Sequence, residues 1–217
     1  MRDTCLCSSA RPASSTVAHW LQEEPEAKTL LALDAPLGWP TDLSCIADHS
    51  AGAAIATPRD LMFRRETDRF IKKRLDQQSL DVGADRIART AHAALSMLEA
   101  IRELTAETIP LAWDSSFTAR VAAIEVYPAA TLRAHGLRFS AYKKPEQMPE
   151  RREILEALSR DLTIADPELA LTQPDVLDAV VCLLAAFDFQ AGKCMSPEHM
   201  PSALREGWIW AKSPRDV

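Results

Sequence analysis

Glycine is scarce, at six residues in a chain of 217. None of the six builds the spaced glycine loop that cradles a phosphate, so P-loop and dinucleotide fingerprints are excluded. Ser and Cys nucleophile motifs are also missing. The five histidines, His19, His49, His92, His135 and His199, are scattered, and no two stand at a metal-ligand spacing. No apolar run reaches the roughly 18 residues that cross a bilayer. The longest, 176–187, contains Asp178 and reads as a buried helix. The N-terminus, "MRDTCLCSSARPASS", lacks the apolar core of a secretory signal, and Asp3 argues against a transit peptide. Five irregularly spaced cysteines give no disulfide framework, so a cytoplasmic location with no membrane partner is expected. Cys5 and Cys7 lack a second ligand pair and read as ordinary thiols.

What is present is a globular composition, 47% hydrophobic and 26% charged. The length suits one domain with a real core. The net charge of −6 argues against general adhesion to nucleic acid. The charge is nonetheless segregated. Residues 59–74 and 133–152 each carry a net +4, which leaves −14 for the rest. Either these segments form a local basic surface or they are solvated helix faces.

Hydrophobic patterning predicts helices over 14–24, 65–75, 84–103, 129–134, 151–160 and 172–187. It predicts strands over Thr29–Leu33 and Val121–Val126, with weaker ones at Cys5–Cys7 and Trp208–Trp210. Strands separated by helices suggest an α/β fold with parallel strands. The two strong strands are continuous apolar runs, as expected of a sheet covered on both faces.

Each strong strand ends on an acid: Asp34 in "LLALDAPLGWP" and Glu125 in "VAAIEVYP". Ligands of open α/β sheets bind beyond the carboxyl ends of the strands. Asp34 alone is equally well read as a turn-capping acid. Glu125 is harder to dismiss, since Glu is a poor strand residue and its neighbours are apolar. Asp175 follows Thr172 at capping-box spacing, but Asp178 lies deeper in an apolar helix and needs a partner. If Asp34, Glu125 and Asp178 converge, they form an oxygen-rich site suited to Mg²⁺ or Mn²⁺. Two such ions would serve phosphodiester cleavage.

The segments "ALDAPLGWP", "FRRETDRF", "AAIEVYPAATLR", "YKK", "PDVLDAVVCLLAA" and "EGWIW" occur in that order over residues 29–211. They resemble the ordered motifs of domain-of-unknown-function family 429, described as predicted nucleases of the ribonuclease H-like superfamily. The resemblance implies a ribonuclease H-like α/β fold: a mixed sheet flanked by helices, one domain over 1–217, with 1–28 an atypical or truncated N-terminus. It implies a metal-dependent nuclease or phosphodiester hydrolase with Asp34, Glu125 and Asp178 as catalytic metal ligands; Asp68 either orients Arg65 or joins the metal shell. Arg65, Lys143 and Tyr127 become substrate-binding residues, and nucleic acid or another phosphate compound the partner. Family members open with a "GxD" strand that this chain does not show. An incomplete site would instead make a non-catalytic nucleotide- or nucleic-acid-binding protein. A missing strand would expose an edge and favour a homodimer. Hydrolysis of a small phosphorylated metabolite is a third reading. Arg64, Arg65, Asp68 and Arg69 also fit a surface ion-pair lattice, and Lys143 a solvated loop lysine.

Overall fold

The computed structural model describes residues 12–214. The expected strand at Cys5–Cys7 lies outside them. Two parallel strands, β1 (Thr29–Leu33) and β2 (Val121–Glu125), pair in register from Thr29 with Val121 to Leu33 with Glu125. Helices α1 (Ala13–Glu23), α2 (Arg59–Phe63), α3 (Glu66–Leu75) and α4 (Asp85–Thr105) fall before β2. After it come α5 (Pro128–Ala134), α6 (Met148–Leu158), α7 (Pro167–Thr172), α8 (Pro174–Gln190) and α9 (Ala203–Glu206). The architecture is α/β, with a small parallel sheet flanked by helices.

Pleat alternation assigns the two faces. Leu31, Leu33, Val121 and Ala123 pack with Leu21 of α1 and with Leu98 and Ile101 of α4. Leu30, Ala32, Ala122 and Ile124 pack with Cys182, Ala185 and Phe189 of α8. α6 and α7 close on the far side of α8 through Ile154, Leu158, Leu171, Leu177 and Val181. Each such fully buried aliphatic side chain contributes about 1.5–3 kcal/mol relative to exposure.

Two expectations need correction. The helix predicted over 172–187 is two helices, because Pro174 opens α8 after an extended Gln173. Thr172 belongs to α7 and donates back to Glu168 O (2.9 Å), so it does not cap α8. The strand expected at Trp208–Trp210 is a single bridge, Glu125 with Ile209, supported by Trp210 N–H donating to Glu125 O at 3.0 Å. Pairing stops there because the chain turns to residues 193–195: Met195 N–H donates to Ala211 O at 2.9 Å. β2 is thus the central strand. β1 meets no other strand on its far edge among the described residues.

Candidate functional site

The carboxyl ends of β1 and β2 open into a cavity of about 400 Å³. Asp34, Glu125, Arg65, Asp68, Tyr127 and Lys143 all line it. They do not form one cluster. Glu125 follows Val121 and Ala123 on the α1/α4 face of the pleat, whereas Asp34 follows Leu30 and Ala32 on the α8 face.

Glu125 is buried and fully bonded. Arg65 forks onto it, Nη1 to Oε2 at 2.7 Å and Nη2 to Oε1 at 2.6 Å. The same guanidinium reaches Asp68 through Nε and Nη2, both at 3.1 Å. The turn "APLGWP" adds a donor, Leu37 N–H to Glu125 Oε2 at 2.9 Å. Asp68 caps α3 by accepting from Arg65 N–H (2.9 Å) and takes the Ser79 hydroxyl at 3.0 Å. Arg65 and Asp68 are 1% and 0% exposed, so they are no surface lattice, and Arg65 has no donor turned to solvent phosphate. Burial alone lowers the Arg65 guanidinium, but Glu125 and Asp68 outweigh it and raise it. Burial pushes Glu125 up, and Arg65 opposes this; two contacts below 2.8 Å keep the pair ionised. Two glycines admit this network. A Cβ on Gly38 would stand 2.5 Å from Glu206 O, and Gly207 has φ +82° beside the Glu125 carboxylate. Glu206 in turn accepts from Thr41 N–H (2.7 Å) and Glu66 N–H (2.6 Å), tying the turn after β1 to the start of α3.

Asp34 differs in every respect. It is exposed to the cavity and makes no hydrogen bond or ion pair among the described residues. Its carboxyl is pushed up to about 6, first by the protein packed around it, then by the charges of Asp178, Asp175 and Glu125, with Lys143 opposing.

Asp178 enters from α8. Tyr142 donates to its Oδ1 at 2.6 Å. Its Oδ2 is shielded from solvent and is held by the Lys143 ammonium. Burial pushes Asp178 up despite Lys143 and Tyr142. Asp178 also raises Lys143, against burial. Lys143 is about half exposed and is therefore an ion-paired lysine at the rim, not a freely solvated one. Tyr127 shows its ring to the cavity, but its hydroxyl accepts from Gln77 Nε2 (2.9 Å) and donates to Gln78 O (3.1 Å).

Sequence reading missed two arginines here. Arg86, exposed at the start of α4, lines the cavity, and its side chain makes no ion pair or hydrogen bond among the described residues. Arg151 is buried, with Nε on Leu171 O (2.6 Å) and Nη1 on Tyr142 O (2.7 Å) and Lys144 O (2.9 Å). It fixes the loop carrying Tyr142 and Lys143, which begins at a left-handed Ala141 (φ +65°). Nothing in the string "PERREI" marks one arginine as buried and the next as exposed.

The basic segments do not add up to a basic face. Arg65 and Arg151 are internal; Arg64 pairs with Asp60 and Asp81, Lys72 and Arg133 with Asp76, Arg138 with Glu150. Among the described residues no three His, Cys, Asp or Glu side chains form a metal-binding group.

Fold and site together define an α/β protein with a carboxylate- and cation-lined cavity at its strand ends. The chain belongs to the family described as "Protein of unknown function (DUF429)", whose model matches residues 9–202. The match begins upstream of the first motif quoted above and stops short of "EGWIW". No curated protein and no solved structure matches the chain.

Proposed function

We propose that this chain hydrolyses phosphate esters in the cavity beyond β1 and β2, assisted by one Mg²⁺ or Mn²⁺. The charge around the unbonded Asp34 carries the reading. Asp34, Asp68, Glu125 and Asp178 bring four negative charges; Arg65, Lys143 and Arg86 bring three positive ones. A phosphate entering alone meets a negative site, and a hard divalent cation answers that deficit. Asp34 and Asp178 fit one such ion: Asp34 has no competing partner among the described residues, and the Asp178 Oδ2 becomes available once the ion displaces the Lys143 ammonium that pairs with it. They do not fit a pair of ions, because Glu125 and Asp68 are committed to Arg65. When bound, a divalent ion would neutralise phosphate charge and acidify a water.

The chain's own groups supply the rest. Lys143, on leaving Asp178, presents an ammonium at the cavity rim, and Arg86 presents a planar fork that can take two phosphate oxygens. Tyr142 keeps Asp178 in one orientation, and Arg151 holds Tyr142. The test is phosphate release from p-nitrophenyl phosphate, bis-p-nitrophenyl phosphate and a short oligonucleotide, with Mg²⁺ or Mn²⁺. Turnover that disappears in Asp34→Asn supports the reading; equal turnover in that variant contradicts it. A non-catalytic nucleotide- or nucleic-acid-binding protein is the second reading, favoured by the withdrawal of Glu125 into the Arg65 pair. It predicts phosphate binding without turnover of any ester.

A further inference from the structure

A second cavity, of about 550 Å³, lies against the first and shares Ser79, Leu80, Arg86 and Ile87 with it. The two differ in chemistry. The first holds the free Asp34 and the Lys143 ammonium. In the second, Arg64 is neutralised by Asp81 at 2.8 Å and by Asp60 at 2.9 Å. Gln78 uses its side-chain amide N–H on Ser79 O, and its side-chain carbonyl oxygen has no partner among the described residues. The remaining walls are Leu80, Ala84 and Ile87.

Leu80 stands at the junction and is 53% exposed. It is held there. Tyr127 fixes Gln77 and Gln78, Asp68 takes the Ser79 hydroxyl, and Val82 N–H donates to Phe63 O at 2.8 Å. Leu80 and Ile87 together give the junction of the two cavities an apolar wall, the kind of lining that takes an apolar part of a ligand.

We propose, resting on the phosphate-ester reading above, that the ligand is a nucleoside monophosphate. Its phosphate occupies the first cavity between Lys143 and Arg86. Its base lies in the second, one face on Leu80 and Ile87 and a polar edge toward the Gln78 amide. A sugar phosphate would fill the first cavity and leave Gln78 and Ala84, which line only the second, without a ligand. A polymer would need a basic track beyond the cavities, and the basic segments are largely consumed by internal pairs.

Calorimetry on the whole chain with Mg²⁺, titrating adenosine 5′-monophosphate and ribose 5-phosphate separately, tests this. The nucleotide should bind about tenfold more tightly, the size of one modest apolar contact. Gln78→Ala, at a residue that lines the second cavity alone, should bring the nucleotide toward the sugar phosphate and leave the latter unchanged. Equal affinities in the wild type, or equal weakening of both by Gln78→Ala, would overturn the base subsite while the phosphate-ester reading stands. Binding of neither ligand would overturn both.

Discussion

Glu125 and Asp34 end neighbouring strands and line one cavity, yet one is spent and the other free. The Glu125 carboxylate accepts three hydrogen bonds, two from the Arg65 fork and one from Leu37 N–H. Asp34 has none. Glu125 is the last residue of β2 and meets Arg65 at the start of α3, whereas Asp34 lies one residue past β1, in the turn, and faces the charge of Asp178 on α8. A buried acid with a bidentate arginine stabilises the fold only while its partner remains; an unbonded acid lowers stability and is available for chemistry.

Removing the partner should have the largest effect. Arg65→Ala leaves Glu125 and Asp68 buried without a counter-charge and should cost about 3–5 kcal/mol in urea unfolding. Arg65→Lys should recover only part, because an ammonium cannot span both carboxylates. A loss below about 1 kcal/mol would show that Glu125 is not held as described. Tyr142→Phe removes the one hydrogen bond to Asp178 Oδ1 and should cost about 1.5–3 kcal/mol. Glu99→Gln, in the exposed pair with Arg102, should change stability by less than about 0.5 kcal/mol and sets the scale.

Asp34 predicts the opposite sign. Its carboxyl titrates at about 6 folded, against roughly 3.9 in an unfolded chain. Between those values the folded chain holds more protons, so stability falls as pH rises through that window. With chelator present, Asp34→Asn should therefore raise Tm at pH 7.5 and leave Tm at pH 3.5 nearly unchanged. The same shift at both pH values would refute the raised carboxyl.

The elements were largely legible because their signals are local. β1 is bounded as the apolar run predicts; α3, α4 and α5 follow from periodicity and from Pro128. Pro174 stands in the sequence, but hydrophobic periodicity runs one helix through it where the structure has two. The site was legible as a set of residues and not as roles. Asp34, Glu125, Arg65, Asp68, Tyr127 and Lys143 do share a cavity, with Asp178 behind Lys143. Which acid is free depends on an arginine 60 residues away in sequence from Glu125. Charge counted along the chain misled for the same reason: Arg65 and Arg151 contribute to two basic segments but are internal. Arg86 and Leu80 carry no sequence signal, because only the strap from Gln77 to Val82 places them at the cavities.

The division of labour between the two strand-end acids is tested most directly by Mn²⁺ titration of the chelator-treated chain in a calorimeter. Wild type should bind one Mn²⁺, and Asp34→Asn should lose that site while keeping the wild-type circular dichroism spectrum. No binding by wild type at millimolar Mn²⁺, or undiminished binding by Asp34→Asn, would contradict the account.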